Sequence, residues 1–193
     1  DVSSPYSYLG ATGVEALAQA HGLTVEYVPF LLGALFKGIG TPNVPLLAMS
    51  PARRKYSQQD LMDWDVSRGV PLRFPKAFPI RSVLPLRVLI QAPQATAAVY
   101  EAAWANGHDI ADPAELAAVL DAAGFDGQAL VRGAAEADVK AILRKNTQEA
   151  VDLGACGAPT FYVLGDDGTS EIYWGQDRMG QVAEALNRIG ETV

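Results

Sequence analysis

The chain has 193 residues, 49% of them hydrophobic and 19% charged, enough for a buried core in one domain with an insertion or in two small domains. With 15 Lys and Arg against 22 Asp and Glu, the net charge is -7, which argues against nucleic-acid binding by phosphate neutralisation. A single cysteine, Cys156, excludes an internal disulfide and a multi-cysteine metal site, no apolar run reaches the ~18 residues of a membrane span, and no signal peptide is visible, so a cytoplasmic protein is expected.

The first element begins at Ser4, which suits a helix N-cap, with Pro5 at the first helical position where its missing N–H costs nothing. Tyr6, Leu9, Gly13, Val14 and Leu17 form an apolar stripe, and Gly22 stops the helix. Leu23 to Phe30 alternates and reads as a strand. From Leu31 to about Asn43 the chain is Gly-rich and irregular, with Lys37 its only charge.

A helix resumes at "PARRKYSQQDLMDWDVSRG", where Tyr56, Leu61 and Trp64 are expected to face inward. Val70 to Pro79 carries three prolines and must be irregular. Helices follow at about 82–92, 94–106 and 112–123, the last marked by Asp112 as N-cap, Pro113, Glu115 and a closing Gly124. A long helix over about 134–153 places Val139, Ile142, Leu143, Ala150 and Leu153 on one side, with Glu136 and Lys140 spaced to pair. "PTFYVLG", "DDG" and "SEIYWG" read as a hairpin, and "DRMGQVAEALNRIG" as a terminal helix. Strand and helix fragments at both ends with an all-helical middle are the plan of an α/β thioredoxin-like domain. The expected division is 1–43 with 150–193 for that domain and 44–149 for the helical insertion.

Ser4-Pro5-Tyr6-Ser7 keeps the frame of a C-x-x-C redox motif with a hydroxyl in place of each thiol. Such a box cannot itself exchange a disulfide. Cys156 is expected to be a buried, inert thiol. His21 and His108 lie far apart and match no metal-ligand spacing. Tyr6, Tyr8 and Trp174 could wall an aromatic pocket, with core packing the better reading for at least two of them.

"SSPYSYLG", "ACGAPTFYV" and "IYWGQDRM", in this order and spacing, resemble the kappa-class glutathione transferase and 2-hydroxychromene-2-carboxylate isomerase family, a branch of the DsbA-like thioredoxin fold. "LLGALFKGIG", "DLMDWDVSRGVPLRFPKAFP" and "WANGHDIADPAEL" look like its isomerase side. The resemblance implies a first strand just before Asp1 and a cis bond at Ala158–Pro159, turning the Ala158 backbone outward to pair with an extended peptide.

It also implies glutathione as cofactor. Ser4 would donate to its sulfur, Ala158 and Pro159 would hold its cysteinyl backbone, and Gln176 and Asp177 would meet the γ-glutamyl end. Lys37, Asn43 and Arg53 would contact an anionic aromatic carboxylate substrate. Arg81 departs from the family, whose isomerases commonly carry Asn there. The implied activity is cis-trans isomerisation of a 2-hydroxychromene-2-carboxylate-like intermediate of aromatic degradation, by addition and departure of a thiolate. A homodimer is expected from the resemblance. A kappa-like transferase and a non-catalytic DsbA-like peptide binder are the alternatives.

Overall fold

The computed structural model describes residues 1–190, and its local elements follow from identifiable punctuation. Helix α1 (Pro5–Ala20) starts where Ser4 accepts the Ser7 N–H, and ends where Gly22 takes a positive φ of 70° that a side chain would resist. After it come α2 (Leu32–Gly38), α3 (Pro45–Ala48) and α4 (Pro51–Arg68), the last capped by Ser50 and closed by a left-handed Gly69. The helical middle continues with α5 (Val83–Gln91), α6 (Thr96–Trp104), α7 (Pro113–Ala122), α8 (Gly127–Gly133) and α9 (Ala137–Asp152). Asp112 caps α7 through Ala114 and Glu115, as its position predicts. The antiparallel hairpin β1 (Thr160–Leu164) and β2 (Ser170–Trp174) leads through a 3-10 turn at Gln176–Arg178 into α10 (Met179–Gly190).

Residues 23–30 form no strand. Their exposure alternates as a strand's would, with Val25 and Tyr27 half-buried between exposed neighbours, but among the described residues they join no ladder. Groups at the end of this segment bind side chains instead: Asn146 donates to the Pro29 carbonyl, and Leu31 N–H donates to Thr147 Oγ1. The pleat is local, whereas a ladder needs a partner. Three short helices, α2, α3 and α8, form where no element was expected. The first is held at its start by Asp1, whose carboxylate accepts Leu32 N–H at 2.7 Å and the Ser82 hydroxyl at 3.1 Å. This one side chain ties the chain's beginning to the starts of α2 and α5.

The largest core cluster packs α1 against the helical middle around Leu9, Leu86, Val99, Trp104, Leu116 and Leu120. Trp104 is fully buried, and its indole N–H donates to the Val2 carbonyl at 2.9 Å, satisfying its polar end. A second cluster joins Phe30, Leu35 and Phe36 to Ala155 and Ala158, and a third packs Val163 on Val182 and Ala185. Leu61 is buried as expected and Trp64 half-buried, but Tyr56 is 68% exposed. On α9 the inward line is Val139, Leu143 and Thr147, while Ile142 and Leu153 are exposed. The core takes a narrower stripe than the apolar residues offer. Among the described residues, no helix is long and apolar enough to cross a membrane.

Candidate functional site

The buried Ser4 is the centre of the site. Its Oγ accepts Ser7 N–H at 3.2 Å and donates to the Ala158 carbonyl at 2.9 Å, so the cap of α1 also grips the turn before β1. The Ala158–Pro159 peptide bond is cis, as is Phe78–Pro79. Gly10 lets α1 approach, since a Cβ there would stand 3.0 Å from Pro159 Cγ. The expected outward turn of Ala158 is therefore corrected: the residue is buried and its carbonyl is taken by Ser4. Its N–H, like that of Tyr6 in the first turn of α1, has no acceptor among the described residues. The buried Ser7 Oγ has no hydrogen-bond partner among the described residues.

Around this centre stand groups from α4 and the Gln176–Arg178 turn. Tyr6 donates to Asp60 Oδ2 at 2.9 Å, and burial, then Asp60, then the nearby Asp177 carboxylate push its pKa up. Gln176 is 2% exposed, and Arg68 donates to both its side-chain oxygen (2.9 Å) and its backbone carbonyl (3.3 Å). Arg68 also lies over the Trp64 ring, 5.4 Å from its centroid. Gln176 is thus an anchored part of the wall, whereas Asp177 is exposed, with Arg178 3.7 Å away.

The sequence does not single out Arg68 or Asp60. A basic residue in the last turn of a helix before Gly69 has a sufficient local explanation in the helix dipole, and that hides its long-range partner.

The three residues expected to meet a substrate make no bond to this cluster among the described residues. Lys37 is exposed on α2, Asn43 lays its side chain over Gly33, and Arg53 gives its N–H to the Ser50 cap while its side chain is exposed. Among the described residues, no hydrogen bond or ion pair joins any of them to Ser4, Ala158 or Asp177. Cys156 is exposed, not buried, because the 154–157 turn holds its neighbours Ala155 and Gly157 inward instead. Trp174, 55% exposed, lies directly against Gly157, where a Cβ would collide with the indole. Of the three candidate wall residues, only Tyr8 is in the core; its hydroxyl donates to the Pro71 carbonyl at 3.1 Å.

A family model described as a DsbA-like thioredoxin domain matches residues 1–187. The chain belongs to the DsbA-like thioredoxin domain family. Within that family it is 30% identical to glutathione S-transferase kappa 2 of Caenorhabditis elegans, over 96% of this chain and 88% of that protein. It is also 30% identical to 2-hydroxychromene-2-carboxylate isomerase of Sphingobium xenophagum, over 93% of this chain and 91% of the isomerase. A solved structure of a 2-hydroxychromene-2-carboxylate isomerase superposes with a TM-score of 0.81 at 27% identity, covering 100% of this chain and 94% of that one. The fold is therefore α/β, DsbA-like thioredoxin with a helical insertion. Its relatives comprise both isomerases and glutathione transferases.

Proposed function

We propose that this DsbA-like protein is a glutathione-dependent isomerase of a 2-hydroxychromene-2-carboxylate-like anion. The observation that carries the reading is Ser4: a hydroxyl at the N-cap of a 16-residue helix, bonded to the residue before Pro159, in a box that has lost both thiols. Relatives of both kinds, transferase and isomerase, cover nearly the whole chain.

The residues present fit glutathione. A thiolate beside α1 would meet the positive end of the helix and the open N–H of Tyr6. It would also compete for the Ser4 proton, because an anion is a stronger acceptor than the amide carbonyl of Ala158. The N–H of Ala158 offers one open donor beside Pro159, its carbonyl being taken by Ser4, and the exposed Asp177 carboxylate suits an ammonium. Gln176, held by Arg68, would fix where Asp177 stands. Bound there, glutathione would supply the nucleophile that the chain lacks. Lys37, exposed and in no ion pair among the described residues, would orient the substrate carboxylate, with Asn43 and Arg53 as further contacts to it. The family resemblance supports a homodimer.

The test is to incubate the protein with 2-hydroxychromene-2-carboxylate, with and without glutathione, and follow product absorbance and mass. Conversion that requires glutathione without consuming it, at unchanged product mass, is expected. A product heavier by one glutathione would make the protein a transferase, which the kappa relatives favour equally on identity. Failure to bind glutathione would leave a peptide-binding scaffold.

A further inference from the structure

We propose that the cleft between α2, α5 and α9 is a second binding site, for an organic anion with an apolar body. The cleft has a volume of about 510 Å³, within the range of small-molecule sites, and none of Ser4, Ala158, Pro159 or Asp177 lines it. Val83, Leu143 and Val151 contribute apolar surface, and Arg87, Lys140 and Arg144 contribute three positive charges.

Those charges are the unusual feature. In a chain of 15 basic against 22 acidic residues, three cations converge here, and among the described residues none lies within ion-pair distance of a carboxylate. Lys140 and Arg144 stand one turn apart on α9, a spacing at which like charges repel. Glu136, spaced to neutralise Lys140, makes no ion pair with it, which corrects the pairing expected from the sequence.

Arg87 Nε is buried and has no hydrogen-bond partner, a donor whose desolvation nothing in the fold offsets. The polar side chains beside it are already engaged: Thr147 donates to Leu143 and accepts Leu31 N–H, and Gln148 donates to Asp152. The uncommitted donors of the cleft are therefore the cations alone. An anion would satisfy Arg87 and relieve the repulsion, while its apolar body would cover the aliphatic surface. Inorganic phosphate would use only the first of these features.

The test is a fluorescence titration with 8-anilinonaphthalene-1-sulfonate. Saturable binding is expected, weakened at least fivefold in Arg87→Gln and in Lys140→Gln, and unchanged in Lys76→Gln, an exposed cation outside the cleft. Arg144→Gln, on an exposed position, serves if Arg87→Gln fails to fold. The uncharged N-phenyl-1-naphthylamine should bind at least fivefold more weakly than the sulfonate. Displacement by 2-naphthoate or by octanoate distinguishes an aromatic from an alkyl anion, and displacement by neither overturns the proposal. Equal binding of the neutral probe, or wild-type affinity in the cleft variants, overturns it as well. None of these outcomes depends on glutathione.

Discussion

The Ser4 hydroxyl donates to the Ala158 carbonyl at 2.9 Å while accepting Ser7 N–H at 3.2 Å, so one oxygen joins a helix start to a turn 154 residues away. Ser4→Ala removes a cap, costing about 1 kcal/mol, and leaves a buried carbonyl unpaired, costing about 1–3 kcal/mol more. A loss of roughly 2–4 kcal/mol in urea unfolding is expected. The pKa of bound glutathione should rise by about one to two units, read from thiolate absorbance. Ser3→Ala should do neither, and the reverse pattern would move the motif by one residue.

Arg68 connects α4 to the turn that carries Asp177. Arg68→Met should weaken glutathione binding about tenfold with little change in kcat, because it frees Gln176 without touching the reacting atoms. Arg68→Lys should restore part of this, since both bonds to Gln176 leave the one nitrogen Nη2, which an ammonium can replace, while the planar stacking over Trp64 is lost. An unchanged glutathione KM in both variants would separate Gln176 from the binding site.

Lys37→Met tests the substrate side. Loss of a charge-assisted hydrogen bond is worth roughly 1.5–3 kcal/mol, so kcat/KM for the anionic substrate should fall about 10- to 100-fold. Glutathione affinity should hold. Were it to fall equally, Lys37 would belong to the cofactor, and no change in either constant would leave it a surface charge.

Cys156 is exposed and should react with a thiol reagent in the folded protein. Cys156→Ser should retain glutathione-dependent turnover, and neither protein should reduce insulin above background. Loss of turnover in that variant would put the thiol into the chemistry.

Alkaline pH should expose the buried tyrosines. Burial pushes the Tyr100 hydroxyl well above its usual value of about 10, and burial aided by Asp60 and by Glu15 does the same for Tyr6 and Tyr27. A folded-state pKa above the unfolded one means that the stabilisation is complete below about pH 10 and is lost as pH rises toward the folded value. For Tyr100 the loss approaches about 1.4 kcal/mol per pH unit. Urea midpoints between about pH 8 and about pH 11 should therefore fall less steeply in Tyr100→Phe than in the wild type. Parallel slopes would show that Tyr100 titrates normally.

Most helix limits and the hairpin were readable because their causes are local. Ser4 before Pro5, Asp112 before Pro113, Gly22 and Gly69 at positive φ, and Asp166-Asp167-Gly168 between alternating segments each act within a few residues. The same nearness let the order of three short motifs point to the family that the comparisons show. Tertiary structure decided the rest. Residues 23–30 keep a strand's alternation yet form none, because pairing requires a neighbour that alternation cannot supply. Glu136 and Lys140 have the spacing of a pair, but α9 packs so that Lys140 lines a cleft with Arg87. Arg68 meets Gln176 across 108 positions and Ser4 meets Ala158 across 154, separations at which sequence holds no distance information. The helix punctuation was set by the order of residues, and the site by which helices the core brought together.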